Sequence, residues 1–121
     1  MAGKLFGRAF IRVNGSTMPT IAGTGKINLG GIERTAVNGD FGFLGSTEKT
    51  VNGEVECDVA VDAALDLQAL GNTVEATITF ECDSGQAFVL RNAVLAAPIE
   101  LQSGDGKATL RFIGSAAESS L

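Results

Sequence analysis

The chain has 121 residues and a formal net charge of −5, and it contains no histidine, tryptophan or tyrosine. The lack of histidine removes the commonest general base and metal ligand, and with it any Ser/His/Asp or Cys/His catalytic arrangement. The acidic balance argues against a surface that grips nucleic acid, because such a surface needs clustered lysine and arginine. The length predicts one domain, spanning residues 1–121.

The cysteines and the apolar runs indicate whether the chain forms disulfides and whether it could enter a membrane. Cys57 and Cys82 are too few for a disulfide framework, and each falls on the apolar side of a strand pattern, so we interpret them as buried thiols. The longest apolar run, residues 93–99, is too short to span a bilayer and contains Pro98. We therefore expect no metal, no cofactor and no membrane insertion. We expect the chain to be synthesised in a reducing cytoplasm.

The first predicted strand lies in residues 7–13. It alternates between an apolar side, with Ala9, Ile11 and Val13, and a side that carries Arg8, Phe10 and Arg12. Asn14-Gly15 then predicts a tight turn, and a second strand is expected at residues 25–29. The surrounding run GTGKINLGG lacks the residues of a Walker A loop or a dinucleotide fingerprint, so we do not interpret it as a phosphate site.

Residues 30–53 differ in kind from the predicted strands. This segment carries six of the 16 glycines, shows no strict alternation and is too long for an ordinary connection. We interpret it as a long Gly-rich loop that is mobile and serves assembly. Its Phe41, Phe43 and Leu44 either fold back and close one end of the core, or reach a neighbouring copy and become ordered there. The glycine density favours the second interpretation.

Two segments give the clearest strand patterns, residues 53–62 and 73–82. Their apolar sides consist of Val55, Cys57, Val59 and Val61 in the first, and of Val74, Ala76, Ile78, Phe80 and Cys82 in the second. Residues 62–72 between them predict one short helix that Gly71 ends. Turn signals at residues 83–85 and 103–106 predict a closing meander of strands. The fold class is therefore mainly β, an antiparallel β-sandwich or half-barrel with one short α-helix.

Charge is distributed unevenly along the chain. Residues 54–83 hold eight acidic side chains and no lysine or arginine, whereas residues 1–12 hold three basic side chains and no acidic one. The simpler interpretation is a solvated sheet face and a basic terminus. The alternative is an acidic surface that repels polyanions or pairs with the basic terminus of another copy.

Several short runs, in a fixed order, suggest a family. GDFGF at 39–43 precedes EKTVNGE at 48–54, DLQAL at 66–70, DSGQAFVLRNA at 83–93 and LRFIG at 110–114. Together they cover nearly the whole chain, and in this order they resemble the tail tube proteins of contractile, Mu-like phages, which are related to the tubes of R-type pyocins.

The resemblance implies a structural virion protein of the tail whose hexameric rings stack into a hollow inner tube. Its expected partners are further copies, the sheath, the tail tip or baseplate and the tape measure protein, while double-stranded DNA passes through without specific binding. The resemblance places these residues at contacts between copies: Lys4, Arg8, Arg12, Phe41, Phe43 and Leu44. An acidic lumen is typical of such tubes, and our candidates for its lining are Glu54, Glu56, Asp58, Glu75 and Glu81.

Three alternatives stay open at this point. The tube could belong to a phage-derived secretion particle or bacteriocin. The chain could instead be a small β-sandwich binding module, although such modules usually display Trp and Tyr platforms. An enzyme is the weakest alternative, because a carboxylate pair among Glu54, Glu56 and Glu75 has no partner base or metal signature.

Overall fold

The structure is a computed structural model, and it describes residues 5–62, 67–72, 74–101 and 103–119. Over these ranges the strands are β1 (Ala9–Val13), β2 (Ser16–Thr17), β3 (Lys26–Asn28), β4 (Gly31–Gly39), β5 (Gly42–Val51), β6 (Gly53–Ala60), β7 (Ala76–Cys82), β8 (Ala87–Leu95), β9 (Lys107–Gly114) and β10 (Glu118–Ser119). Helix α1 (Leu67–Gly71) lies between β6 and β7.

Most of the strands form one antiparallel sheet. Its order is β2-β1-β7-β8-β9-β6-β3, with β10 added beside β8, and β4 and β5 form a separate two-stranded sheet. The path is open, because β2 and β3 stand at its two ends. The predicted class, mainly antiparallel β with one short helix, is therefore confirmed.

The segment that follows β2 bonds to both β1 and β6, the strands that stand next to the two ends of this sheet. The Met18 amide donates a 2.9 Å hydrogen bond to the Ile11 carbonyl of β1, and the Ile21 amide donates a 2.8 Å bond to the Asp58 carbonyl of β6. The sheet is therefore curled, with both ends held by one short stretch of backbone. One face of the curled sheet encloses the core.

The core consists of the inward side chains of β1 and β6 to β9, together with one helical leucine. Its buried members are Ile11, Val13, Val55, Cys57, Val59, Leu70, Ala76, Ile78, Phe80, Cys82, Leu90, Ala93, Ala108, Leu110 and Phe112. Strict period-two burial along β6 and β7 confirms the apolar sides predicted for residues 55–59 and 76–82. Burial of these side chains is the main favourable term for folding.

Two boundaries in this region differ from the prediction. Val74 was expected to point inward but is 71% exposed, because Glu75 takes a positive φ of 52° and breaks the alternation before β7 begins. The helix was expected over 62–72, and the structure shows it from Leu67 to Gly71. Residues 63–66, where that prediction also falls, lie outside the described residues.

Within residues 30–53, predicted as a long Gly-rich loop, the structure shows two paired strands. Strands β4 and β5 make an antiparallel hairpin that runs from the Gly31–Val51 pair to the Gly39–Gly42 pair, with one register shift after Val37. Asp40 and Phe41 form its turn. Nearly every side chain of both strands is exposed, so the hairpin has no apolar face and no alternation by which it could be recognised. Its mobility stays a prediction.

Glycines fix the base of the hairpin. Gly30 has a φ of +69°, and a Cβ there would lie 2.6 Å from the carbonyl carbon of Asn52. A Cβ at Gly53 would meet the Leu90 side chain and would lie 2.7 Å from the Ser115 oxygen. Only glycine lets the two ends of the hairpin approach the main sheet this closely.

Candidate assembly surfaces

The turn of the hairpin presents a group of uncovered apolar side chains. Phe41, Phe43 and Leu44 are 106%, 69% and 74% exposed, and with Asp40 they form what we call the hairpin tip. No apolar side chain of residues 31–51, all of which the structure describes, belongs to the core or packs against it. The interpretation that the tip closes one end of the core is therefore wrong. Contact with another copy stays a prediction.

The rest of residues 31–51, which we call the shaft, carries two acidic and two basic side chains. Glu33 lies opposite Lys49, and Arg34 lies opposite Glu48. The Arg34 Nε and Glu48 Oε1 atoms are 3.5 Å apart. Since successive residues of a strand point to opposite faces, each face of the shaft carries one pair of opposite charges. The tip holds the three most exposed large apolar side chains of the hairpin, whereas Ile32 and Val37 of the shaft are less exposed.

The basic residues of the N-terminal region lie beside acidic residues of the same chain. The Arg8 Nε is 3.9 Å from the Asp83 Oδ2, with 76% of the arginine side chain exposed. Arg12 is more tightly held, because its Nη1 donates a 2.8 Å hydrogen bond to the Glu81 Oε1. Lys4, the third predicted contact residue, lies outside the described residues.

A groove opens next to Arg8, between the start of the chain and the segment after β2. It has a volume of about 400 Å³ and we call it the N-terminal groove. Its lining includes Phe6, Arg8, Met18, Pro19, Ile21 and Ala22. The ring of Phe6 packs edge-on against the core ring of Phe80, with centroids 5.9 Å apart, which fixes one wall. No feature of the sequence alone identified this groove.

A second, larger cavity lies beside helix α1, and we call it the helix cleft. Its volume is about 790 Å³. It is lined by Gln68, Gly71, Asn72, Leu95, Ala96, Ala97, Pro98, Ile99 and Leu101. None of these lining residues carries a charge.

Three of the acidic residues predicted for the lumen lie together on β6. Glu54, Glu56 and Asp58 are half-buried and point away from the core. The Arg111 Nε donates a 2.5 Å hydrogen bond to the Glu54 Oε1, and this bond is the main cause that lowers the pKa of Glu54 below its usual 4.5. The same bond raises the pKa of Arg111.

The other two carboxylates of β6 also face cations. The Lys107 Nζ is 3.8 Å from the Asp58 Oδ2, and Lys26 of β3 lies opposite Glu56. Three acidic side chains of this part of the sheet are thus matched by three basic ones. The prediction from sequence missed this balance, although the alternation of Lys107, Thr109 and Arg111 with apolar residues in β9 would have signalled a basic outer face.

The structure separates the last two lumen candidates from this group. Glu81 lies on β7, with β8 and β9 between it and β6. Glu75 is exposed and precedes β7. The five acidic residues therefore do not form one patch on a single subunit. Their assignment to a lumen stays a prediction.

Cys57 and Cys82 are both free thiols that lie buried in the structure. Burial raises the pKa of Cys57 to about 12, and burial also raises the pKa of Cys82. Over residues 5–62, 67–72, 74–101 and 103–119, no group of three or more His, Cys, Asp or Glu side chains is arranged to hold a metal ion. None of the helices in those ranges has the length and apolarity needed to cross a membrane.

Comparison with known proteins identifies the family of this chain. Residues 2–119 match the family model described as phage tail tube protein. The chain belongs to the phage tail tube protein family. It is 38% identical over 114 residues to the Mu-like prophage FluMu tail tube protein of Haemophilus influenzae, an alignment that covers 93% of this chain and 92% of that relative.

Membership of the tail tube family confirms the resemblance found in the sequence. The chain is a structural component of a phage tail and hence of the virion, and its β-rich fold suits that role. A tail tube protein assembles with other tail components. The surfaces described above are therefore candidates for contacts in an assembly.

Proposed function

We propose that this tail tube protein forms closed rings, hexameric by resemblance to Mu-like tail tubes, which stack into the hollow tube through which double-stranded DNA is delivered. The observation that carries the proposal is the exposed apolar tip on a hairpin that adds no apolar side chain to the core of the described residues. Large apolar groups that stay uncovered in a soluble subunit mark a surface that another molecule covers.

The energetics favour a second copy as the covering molecule. Full burial of a phenylalanine or leucine side chain contributes about 1.5–3 kcal/mol each. Because the tip is already held in a paired hairpin, less conformational freedom is lost on contact than for an unstructured loop. A contact between two different surfaces of one chain repeats from copy to copy, and it gives rings or filaments rather than a closed dimer.

The basic N-terminal side chains and the outer sheet face complete the proposal. Lys4, Arg8 and Arg12 would contribute to contacts between copies. The acidic candidates Glu54, Glu56, Asp58, Glu75 and Glu81 would face the lumen and discourage DNA binding by like charge. The sheath, the tail tip or baseplate and the tape measure protein are the further expected partners, in a phage or in a phage-derived particle.

Assembly is tested with a variant of the tip. The triple variant Phe41→Ala, Phe43→Ala and Leu44→Ala should form no tubes by electron microscopy and light scattering, while its monomer keeps the thermal stability of the unmodified protein. The matched control, Val74→Ala with Leu101→Ala, removes exposed apolar side chains elsewhere and should assemble normally. Normal tubes from the triple variant would contradict the role of the tip.

The lumen assignment is tested by charge reversal. Tubes that carry Glu54→Lys, Glu56→Lys and Asp58→Lys should bind duplex DNA with a steep salt dependence, whereas unmodified tubes should not. The control reverses Glu100 and Asp105, which lie outside β6. If the reversed tubes bind no more DNA than the control, these three residues do not line the lumen.

A further inference from the structure

We propose that the hairpin tip of one copy docks in the N-terminal groove of a second copy, with Asp40 of the tip beside Arg8 of the groove. This inference rests on the proposed function, since it names the surface that receives the tip during assembly. The juxtaposition is between the apolar group of Phe41, Phe43 and Leu44 and the apolar walls formed by Phe6, Met18, Pro19 and Ile21.

Both surfaces are apolar and uncovered in the single chain. The tip leaves two phenylalanines and a leucine in solvent. Two of the side chains that line the groove, Phe6 and Phe10, are themselves exposed in the single chain. At about 400 Å³ its volume lies in the range of clefts that accept ligand groups, so it is large enough for aromatic side chains. The tip is a protruding apolar surface and the groove is a concave one, so each could cover the other.

The groove is formed before any partner arrives. Its Met18–Ile21 wall is tied to β1 through the Met18 amide and to β6 through the Ile21 amide, and the Ala60 amide of β6 donates to the Pro19 carbonyl at 2.9 Å. The Thr24 hydroxyl donates to the Ile21 carbonyl at 2.7 Å and holds the end of this wall. A wall fixed at both ends can receive the tip without first becoming ordered.

Charge distinguishes this groove from the helix cleft. Asp40 is exposed at the turn of the hairpin, and within the described residues it has no ion-pair partner. Arg8 lines the groove with most of its side chain in solvent, and its 3.9 Å approach to Asp83 is loose. The helix cleft has no cation along its lining. An acidic residue at the centre of the tip therefore fits the N-terminal groove better than the larger cavity.

The two surfaces lie on different parts of the chain, so each copy donates a tip and accepts another. In any assembly that has not closed on itself, such a head-to-tail contact leaves a free tip at one end and a free groove at the other. Growth can then continue with the same contact at every step. A symmetric pairing of tip with tip would instead stop at two copies.

Cross-linking tests the contact directly. In the variant Asn38→Cys with Ala22→Cys, the first thiol lies beside the tip, opposite Phe43, and leaves the tip side chains in place. Oxidation of assembled tubes by molecular oxygen with a copper catalyst should then give covalent ladders on a non-reducing gel. The native Cys57 and Cys82 are buried and should not contribute. The matched control, Asn38→Cys with Ala97→Cys, places the second thiol in the helix cleft and should give no ladder. Tubes that form normally but yield no ladder from the first pair, or a ladder only from the control, would overturn the inference and leave the proposed function intact.

A charge exchange provides an independent test. Asp40→Arg and Arg8→Asp should each weaken assembly, by about tenfold or more, because like charges then meet at the contact. The double variant, and also an equimolar mixture of the two single variants, should recover assembly. Asp105→Arg serves as the control for net charge. If neither combination recovers assembly while the monomers stay folded, Asp40 and Arg8 are not partners. If the unmodified protein forms no tubes even with tail-tip components present, the proposed function fails as well.

Discussion

Arg12 of β1 and Glu81 of β7 are joined by a 2.8 Å hydrogen bond between Nη1 and Oε1. The two side chains lie on the same face of the sheet, and both remain partly exposed. One of them was expected at contacts between copies and the other at the lumen. Because they are bonded to each other, any contact that uses Arg12 must also accommodate Glu81.

This ion pair should contribute little to the stability of the monomer. A double-mutant cycle with Arg12→Ala and Glu81→Ala should give a coupling energy of about 0.2–1 kcal/mol, because solvent screens exposed pairs. Urea unfolding of the four proteins measures it. A coupling energy of about 3 kcal/mol would mean that the pair is far better shielded than its exposure indicates.

The Glu54–Arg111 pair should make stability depend on pH in the acid range. Since the folded-state pKa of Glu54 lies below 4.5, its contribution is complete above that value and is lost as the pH falls through the lowered folded-state pKa. Glu54→Gln should therefore lower the melting temperature slightly near neutral pH, and the difference from the unmodified protein should vanish in acid. Calorimetry over the pH range measures both.

The control for this pH dependence is Glu100→Gln, because Glu100 is exposed and lies outside the strands. Its melting temperature should follow that of the unmodified protein at every pH. If the difference in melting temperature between Glu54→Gln and the unmodified protein grows in acid, the folded-state pKa of Glu54 is not lowered.

Gly53 should tolerate no side chain. Gly53→Ala should destabilise the protein by about 1–3 kcal/mol, because the added Cβ overlaps the Leu90 side chain and the Ser115 oxygen. Gly71→Ala is the matched control, since a Cβ there meets nothing within 4 Å. Thermal unfolding of both variants distinguishes the steric overlap of the added Cβ from the general effect of replacing a glycine. Equal stabilities would show that the base of the hairpin can relax.

The two native thiols should be protected in the folded protein. At about pH 8 iodoacetamide should leave Cys57 and Cys82 unmodified, because Cys57 is buried with a pKa of about 12 and Cys82 is buried with a raised pKa. Both should react fully in denaturant, as mass spectrometry would show. Ala22→Cys supplies an exposed thiol as the positive control. Rapid labelling of Cys57 in the native protein would mean that β6 opens frequently.

The core strands could be predicted because their signal is local. In β6, Val55, Cys57 and Val59 alternate with charged residues, and each apolar residue proved to be buried. The prediction failed at Val74, where a positive φ at the next residue turned the chain. A conformation of that kind at a glutamate leaves no mark in the pattern of apolar and polar residues.

The hairpin and the ion pairs could not be predicted for a different reason. A hairpin exposed on both faces has no apolar side, so residues 31–51 gave no period-two signal. The match between Glu54 and Arg111 depends on the register of β6 with β9, two strands that are remote in sequence. The N-terminal groove likewise needs residues brought together from β1 and from the segment after β2.

The balanced charges of the shaft have a consequence for the subunit before assembly. An isolated two-stranded sheet exposes rows of unpaired backbone groups at its edges, and such edges invite aggregation with any other strand. Glu33, Arg34, Glu48 and Lys49 put charged side chains along these edges, and a strand of unrelated sequence would have to desolvate them to pair there. Before assembly, the charges of the shaft therefore disfavour non-specific strand pairing next to a tip whose apolar side chains stay exposed.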